Sequence, residues 1–282
     1  MKQIRLVALD LDGTVFNDQK EITPRTLGAI RAALEQGVTV LPATGRTARG
    51  VPEQFTGIPG VRYALTSNGA SVVDLHTGEK LVHLPFDPAL AARVYEALLP
   101  CGGTISVFIN GECYITRENS EMSLAIVPPN LRSYIRSTRI EVDDMHRTLA
   151  EHAHEVEKFS MMYATVDERD AAWRTMAAAF PELEIASSIE RNLELSAPGV
   201  TKGRGLMALA RHLGLAPDQV MAVGDSGNDL TMVQMAGLGV AMGNAPPGSA
   251  GRRRRRYSGQ QPRRRGAGDR DLCSVNPKNK NR

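Results

Sequence analysis

The chain has 282 residues, 42% of them hydrophobic, and this length allows one large domain or a core domain with an insertion. No apolar run reaches the ~18 residues that span a bilayer, and the N-terminus lacks the long apolar stretch and cleavage site of a signal peptide, so we expect a cytoplasmic protein rather than a membrane-spanning or secreted one. The net charge of +3 is unevenly distributed, because residues 248–282 contain twelve Lys or Arg and two acidic residues, whereas the remaining residues contain 22 basic and 29 acidic ones.

The first third of the chain alternates between short apolar runs and a helix. Thr23 and Pro24 form the N-cap and first-turn signal of this helix, which Gly37 ends. The apolar runs predict buried strands, at residues 4–10, 38–42 and 61–66. Strand, helix and strand in this order predict a parallel sheet with helices on its faces.

The pattern changes after residue 82, where hairpins and helices are mixed. Asn110-Gly111 between two apolar runs is a strong β-hairpin signal. The elements predicted in this part are helix 88–99, strands 104–109, 112–116 and 158–166, helix 168–180, and strands 183–187 and 192–196. We therefore expect an inserted α+β domain over residues 84–188.

The alternation of helices and strands resumes at Lys202. It predicts helix 202–213, strand 220–223, helix 227–235 and strand 238–241. One α/β domain is therefore split by the insertion, with its two parts at residues 1–83 and 189–247. We expect its core to be a Rossmann-like, doubly wound parallel sheet.

Two carboxylates follow the first predicted strand, in the segment Asp10-Leu11-Asp12-Gly13-Thr14. In open α/β sheets, ligands bind at the carboxyl ends of the strands. Residues i and i+2 of a strand point the same way, so Asp10 and Asp12 can face one site. Close carboxylates repel unless a cation lies between them, and Mg²⁺ prefers such oxygen ligands. A solvent-exposed acidic turn is the alternative.

A second acidic turn, Gly224-Asp225-Ser226-Gly227-Asn228-Asp229, follows a strand and begins a helix. Its glycines allow backbone amides to approach an anion at the helix N-terminus. Asp225 and Asp229 can add carboxylates to the same cation. An ordinary N-capped turn is the alternative.

Two further segments carry groups that could bind a phosphate. Thr44-Gly45-Arg46 follows the second strand and offers a hydroxyl and a glycine amide as donors. Lys202 precedes a helix and is a point cation that can balance a phosphate dianion. Taken alone, these segments are better explained as a plain turn and a solvated lysine.

Together, and in this order, the four segments resemble the motifs of the haloacid dehalogenase superfamily of phosphotransferases. The chain also resembles one branch, the sugar-phosphatase-like Cof-type hydrolases, in which a large type-B α+β cap is inserted between the second and third motifs. This second resemblance lies in Ser67-Asn68-Gly69-Ala70, Gly199–Gly203 and Gly243-Asn244-Ala245. The resemblance covers residues 4 to about 247.

The resemblance implies a Mg²⁺-dependent phosphomonoester hydrolase that acts on small phosphorylated metabolites through an aspartyl-phosphate. Asp10 would attack phosphorus, and Asp12 would protonate the leaving oxygen and then deprotonate water, for which we expect a raised pKa. The resemblance implies that the metal ligands are Asp10, Asp12 through its carbonyl, Asp225 and Asp229. It implies that the phosphate-binding residues are Leu11, Thr44, Gly45, Lys202 and Asn228. The implied substrate-binding residues are Arg46, Asn68 and Gly69. Arg191 and Asn192, on a loop that re-enters the core, are further substrate-binding candidates, with a solvated hinge as the alternative.

Three other functions remain compatible with the sequence. A phosphomutase of the same superfamily would pass the phosphoryl group to a second substrate site and would need a bisphosphate activator. A nucleic-acid-binding protein would bind through the arginine-rich tail in a salt-sensitive manner, although the acidic body argues against it. A folded but inactive regulator would not need the complete set of catalytic residues found here.

The tail of residues 248–282 departs from the family pattern, which is expected to continue with a helix, a short strand and a glycine-containing loop. It contains the arginine runs Arg252–Arg256 and Arg263–Arg265. A nucleic-acid-binding arm, a disordered tail and a frameshift are three explanations. Residues 248–267 can be written with a set of synonymous codons that, when read one base later, encodes an alanine-rich segment and an acidic Asp-Gly-Val loop. These are the features expected of the family at this position, so we favour the frameshift. Sequencing of the gene tests this interpretation.

Overall fold

The structure is a computed structural model that describes residues 3–127, 129–245 and 255–257. In chain order the strands are β1 (Leu6–Leu9), β2 (Thr39–Pro42), β3 (Tyr63–Thr66), β4 (Ser71–Asp74), β5 (Lys80–His83), β6 (Thr104–Ile109), β7 (Glu112–Thr116), β8 (Arg139–Val142), β9 (Val156–Met162), β10 (Glu184–Ala186), β11 (Asn192–Ser196), β12 (Val220–Gly224), β13 (Leu238–Met242) and β14 (Arg255–Tyr257). The helices are α1 (Pro24–Glu35), α2 (Glu53–Thr56), α3 (Pro88–Leu98), α4 (Arg117–Ile126), α5 (Pro129–Thr138), α6 (Met145–Glu151), α7 (Val166–Ala179), α8 (Lys202–His212) and α9 (Leu230–Met235).

A parallel sheet with the strand order β14-β13-β12-β1-β2 forms the centre of the core. The chain leaves β1 towards β2 on one side and leaves β12 towards β13 on the other. The order therefore reverses between β1 and β12, and the crevice at the carboxyl ends of these two strands is where open α/β sheets bind ligands. The predicted doubly wound α/β core is confirmed.

The third predicted strand lies in a different sheet from the one expected. β3 begins an antiparallel sheet β3-β4-β5, and a single parallel bridge between Ala43 and Leu65 joins it to the end of β2. Only the turn at residues 67–70 separates β3 from β4. Such a connection permits an antiparallel pair and is too short for the crossover that a parallel pair requires.

The inserted segment forms a second sheet, with the order β10-β11-β9-β6-β7-β8 and antiparallel pairs except for β7 and β8. Asn110 and Gly111 have φ of 51° and 84° and form the predicted hairpin turn between β6 and β7. β11 pairs with β9 and β10, so this insert sheet continues past residue 188, where we expected the insertion to end. We retain the division into core and insert as a proposal, with the second boundary after Ser196.

The tail departs in sequence from the family pattern of a helix followed by a short strand, but one part of it does form a strand. Arg255–Tyr257 forms β14, which pairs in parallel with the edge strand β13. Backbone pairing explains this strand, because an open sheet edge presents unpaired N–H and C=O groups to any neighbouring segment. The rest of the tail, residues 248–254 and 258–282, lies outside the described residues, and its frameshift origin stays a prediction. Within the described ranges, the helices are too short or too polar to cross a membrane.

Candidate active site

Asp10 lies at the carboxyl end of β1, at the crevice between β1 and β12. Its backbone N–H donates a hydrogen bond of 3.0 Å to the carbonyl oxygen of Val223, and the residue is only 5% exposed. The ammonium of Lys202, at the start of α8, lies 2.8 Å from Asp10 Oδ1 and 2.6 Å from Asp229 Oδ1. Residues from three distant parts of the chain therefore meet at one point, as the motif order predicted.

Three carboxylates converge beside this lysine. Oxygens of Asp10, Asp225 and Asp229 lie within 4.8 Å of one another. Burial raises the pKa of Asp10 well above its usual value, and the charge of Asp229 raises it further against the opposing effect of Lys202. Burial and Asp229 also raise the pKa of Asp225. Burial and mutual repulsion therefore make it costly to keep these carboxylates ionised together without a cation.

These carboxylates fit a divalent cation. Asp10 Oδ2 is buried, and no donor among the described residues reaches it. Thr14 Oγ1 donates a hydrogen bond of 3.0 Å to Asp225 Oδ1 and orients that carboxylate. A set of oxygen ligands with an unsatisfied buried oxygen is the donor chemistry that Mg²⁺ prefers.

Asp229 has a second task besides its place in the cluster. Its Oδ2 accepts hydrogen bonds from the backbone N–H groups of Asp225 and Ser226 at 3.0 and 2.9 Å, and from the Ser226 hydroxyl at 3.0 Å. Its Oδ1 accepts from Lys202. Asp229 therefore shapes the turn that presents Asp225, which leaves Asp10 and Asp225 with the more available oxygens.

Glycine allows the two acidic turns to approach each other. Gly13 has φ of +90°, and a Cβ at this position would lie 2.3 Å from Asp225 Oδ2. Asn244 closes the same side of the site, donating hydrogen bonds of 2.9 Å to Asp225 Oδ2 and 3.3 Å to the Gly13 carbonyl oxygen. Asn244 lies in the segment Gly243-Asn244-Ala245 that carries the family resemblance, whereas its contact with Asp225 was not predicted.

Asp12 differs from the expectation of a raised pKa. Burial alone raises the pKa of Asp12, but the charges of Arg46 and Lys20 outweigh burial and lower it overall. Arg46 donates to both carboxylate oxygens at 2.9 Å, and Lys20 Nζ lies 2.8 Å from Oδ1. Asp12 is therefore a carboxylate in this conformation. Arg46 also lies 4.5 Å from the ring centre of Tyr134, in α5 of the insert.

The predicted phosphate-binding groups line the same crevice. Thr44 Oγ1 accepts a hydrogen bond of 3.1 Å from the Arg46 backbone N–H, and the carbonyl oxygen of Thr44 accepts one of 3.2 Å from the backbone N–H of Asn68. The side chains of Asn68 and Asn228 are joined by a hydrogen bond of 3.0 Å. The loop after β2, the turn after β3 and the turn after β12 are thus in direct contact.

The remaining predicted residues take part in core packing or in hydrogen bonds with the protein itself. Leu11 is a fully buried core side chain, so only its backbone could reach a phosphate. Gly69 has φ of +96°, and a Cβ there would lie 2.2 Å from the carbonyl oxygen of Thr201, so its glycine serves close packing against the start of α8. Arg191 donates to the carbonyl oxygens of Ala164 and Ile126.

Asn192 is likewise engaged in local structure. Its Oδ1 accepts hydrogen bonds from the hydroxyl of Ser187 and from the backbone N–H groups of Ser188 and Ile189. Arg191 and Asn192 therefore form hydrogen bonds within the insert, and their role in substrate binding stays a prediction.

Two charged residues near the site were not predicted. Lys158 and Glu194 are buried in strands of the insert sheet and contact the phosphate-binding loops. Lys158 is the charged residue of the predicted strand 158–166, and Glu194 lies between Leu193 and Leu195 in the predicted strand 192–196. A charged residue within a predicted buried strand is the signal that sequence reasoning could have used.

The chain is similar to known proteins in both sequence and fold. A family model described as haloacid dehalogenase-like hydrolase matches residues 7–249. A 5-amino-6-(5-phospho-D-ribitylamino)uracil phosphatase of Bacillus subtilis is 30% identical over 246 residues, which cover 86% of this chain and 85% of that protein. An HMP-PP phosphatase of Cronobacter sakazakii is 30% identical over 247 residues, with coverage of 86% and 85%. The structure of a haloacid dehalogenase-like hydrolase from B. subtilis is similar with a TM-score of 0.75 and 26% identity, and the match covers 87% of this chain and 92% of that one.

Proposed function

We propose, on the basis that this chain belongs to the haloacid dehalogenase-like hydrolases, that it hydrolyses phosphomonoesters with Mg²⁺ and through an aspartyl-phosphate on Asp10. The chain is a phosphatase of small phosphorylated substrates. The requirement for Mg²⁺ and the aspartyl-phosphate intermediate are what we propose beyond this activity. Sugar phosphates or phosphorylated cofactor precursors are the substrates we expect.

One observation carries the proposal: the buried pair of Asp10 and Lys202 meets the half-buried Asp225 at the carboxyl ends of β1 and β12. A phosphate dianion approaching Asp10 meets a negative nucleophile and needs positive charge beside it. Lys202 supplies one such charge. Asp10 and Asp225, together with Asp229 and, as the family resemblance implies, the carbonyl oxygen of Asp12, would hold Mg²⁺, which when bound supplies further charge neutralisation.

The reaction takes two steps. A carboxylate oxygen of Asp10 forms a bond to phosphorus while the bond from phosphorus to the leaving oxygen breaks, and Asp12 gives a proton to that oxygen. Water then attacks the phosphorus of the aspartyl-phosphate, its proton passes to Asp12, and inorganic phosphate leaves with the Asp10 carboxylate regenerated. Thr44 and Lys202 stabilise the charge on the phosphoryl oxygens.

The contacts of Asp12 fit the second step in particular. Arg46 and Lys20 hold Asp12 as a carboxylate, which is the form that accepts a proton from water. The first step needs the protonated form. We infer that the substrate phosphate competes for Arg46, so that Asp12 loses a positive neighbour and its pKa rises when substrate is bound.

Purified protein is expected to release inorganic phosphate from members of a panel of sugar phosphates, phosphorylated pyrimidines and phosphorylated ribityl compounds when Mg²⁺ is present. Chelation by EDTA should lower the rate by about 10²-fold or more, and added Mg²⁺ should restore it. A melting curve in EDTA serves as the control for unfolding. Full activity of metal-free protein would contradict the metal requirement, and no release from any compound would contradict the whole proposal.

A further inference from the structure

Two charged side chains of the insert sheet reach into the core. Lys158 lies in β9 and Glu194 in the neighbouring β11, with 0% and 4% of their surfaces exposed. Lys158 Nζ lies 2.7 Å from Glu194 Oε1 and donates a hydrogen bond of 2.5 Å to the carbonyl oxygen of Gly45. A buried ion pair is in itself weak evidence for stabilisation, so its contact with the site calls for a functional explanation.

The contacts continue from Glu194 to the turn after β12. Glu194 Oε2 accepts a hydrogen bond of 3.0 Å from Asn68 Nδ2, and Asn68 Oδ1 accepts one of 3.0 Å from Asn228 Nδ2. Gly45, Lys158, Glu194, Asn68 and Asn228 therefore form a continuous chain of contacts, which we call the bridge. The bridge joins the loop after β2 to the turn after β12 through side chains of the insert.

The polar atoms of Lys158 and Glu194 are used within the bridge. An ammonium group has three N–H donors, and Lys158 directs them towards Glu194, Gly45 and the ring of Phe108, whose centre lies 4.2 Å away. Each carboxylate oxygen of Glu194 has a partner as well. Lys158 therefore influences a phosphate through Gly45 and not as a direct ligand.

The peptide group between Gly45 and Arg46 is fixed at both ends. Its carbonyl oxygen accepts from Lys158, and its N–H donates to Thr44 Oγ1. Because the Thr44 hydroxyl accepts this N–H, its own hydrogen can donate to a phosphate oxygen. A Cβ on Gly45 would come within 2.9 Å of Asn68 Oδ1, so the bridge closes tightly only around glycine.

We propose that Lys158 and Glu194 are positioning residues for phosphate binding, and that their ion pair holds Thr44 and Asn228 at the spacing a phosphoryl group requires. This proposal rests on the phosphatase function proposed above and deepens it. Its physical basis is preorganisation, because donors that are fixed before substrate binds do not have to be ordered by it. The pair also makes phosphate affinity depend on contact between the insert and the core.

The test compares Lys158→Met, Glu194→Gln and the double variant with the wild-type protein. Each single variant leaves a buried charge without its partner and should lower the melting temperature, whereas the double variant removes both charges and should recover most of the loss. If the pair positions the loops, the double variant still shows a Ki for inorganic phosphate raised about 10-fold and a kcat/KM for p-nitrophenyl phosphate lowered about 10²-fold.

A matched control comes from the neighbouring residue of the same strand. Glu157 is also fully buried, and Lys80 Nζ of the core lies 2.8 Å from its Oε1. Glu157 Oε2 accepts a hydrogen bond of 2.7 Å from the Ser67 hydroxyl, which the amide oxygen of a glutamine can also accept. The double variant Lys80→Met/Glu157→Gln therefore keeps an acceptor for Ser67, and it should shift the melting temperature in the same manner but leave the Ki for inorganic phosphate unchanged.

Two outcomes separate this proposal from the proposed function. A folded Lys158→Met/Glu194→Gln protein with wild-type Ki and kcat/KM overturns the positioning role and leaves the phosphatase function intact. A wild-type protein that hydrolyses no phosphomonoester contradicts the function instead. Calorimetric titration with inorganic phosphate and Mg²⁺ then still decides the positioning role, because weaker binding by the double variant supports it and equal binding refutes it.

Discussion

Replacement of Asp10 by Asn is expected to abolish turnover, with kcat lowered by about 10⁵-fold or more, as when a covalent nucleophile is removed from other enzymes. The amide keeps the size of the carboxyl group but cannot form the acyl-phosphate, and the buried partner Lys202 keeps its contact with Asp229. Phosphate release in a Mg²⁺-containing assay measures the loss. Asp18→Asn, an exposed carboxylate in the same loop, is the matched control and should retain full activity.

The same variant should be folded and, in EDTA, at least as stable as the wild-type protein. Burial and Asp229 raise the pKa of Asp10, so the folded protein binds a proton there more tightly than the unfolded chain does. At a pH below both pKa values, Asp10 is protonated in the folded and the unfolded protein. As pH rises from the unfolded pKa to the folded pKa, the free energy of unfolding falls, and above the folded pKa the decrease is complete. An Asn side chain does not titrate, so the Asp10→Asn protein is not destabilised in this way as pH rises. A folded Asp10→Asn protein that still turns over substrate would remove the nucleophile assignment.

Elements with local signals were predicted well from the sequence. The helix begun by Thr23 and Pro24 is α1, and Asn110-Gly111 forms the hairpin turn. α7 begins at Val166, two residues before the predicted start, because Thr165 and Glu168 form a capping box that the sequence analysis did not use. The elements α4, α5, β8 and α6 were missed, since their positions depend on tertiary contacts: α4 and α6 pack against strands of the insert sheet, α5 packs against α4, and β8 pairs with β7.

The site shows the same division between local and distant causes. Asp10, Asp225 and Asp229 were predicted because they lie in compact motifs at the ends of strands. The lowered pKa of Asp12 was not, because it depends on Arg46, which is 34 residues away. The bridge could not be predicted either, since Lys158 meets Gly45 across 113 residues of chain. Motif spacing identifies the reacting groups, whereas the charges and supports around them come from tertiary contacts.

Replacement of Asp12 by Asn is expected to separate the two chemical steps. With a sugar phosphate, whose alkoxide leaving group needs a proton, kcat/KM should fall by about 10²–10⁴-fold, the usual contribution of general acid catalysis. With p-nitrophenyl phosphate the first step should largely survive, because p-nitrophenolate leaves without protonation. The second step still lacks its base, so phosphorylated enzyme should accumulate.

Rapid mixing and mass spectrometry measure this separation directly. The Asp12→Asn protein should release a burst of p-nitrophenolate equal to the enzyme concentration and gain the mass of one phosphoryl group, and Asp10→Asn should show neither effect. Equal losses on both substrates without a burst would mean that another group transfers the protons. The prediction depends on the position of Asp12 as much as on its charge. Among the aspartates of the described site, Asp12 lies outside the cluster of Asp10, Asp225 and Asp229. Its side chain is 34% exposed, so it can contact both a leaving group and water.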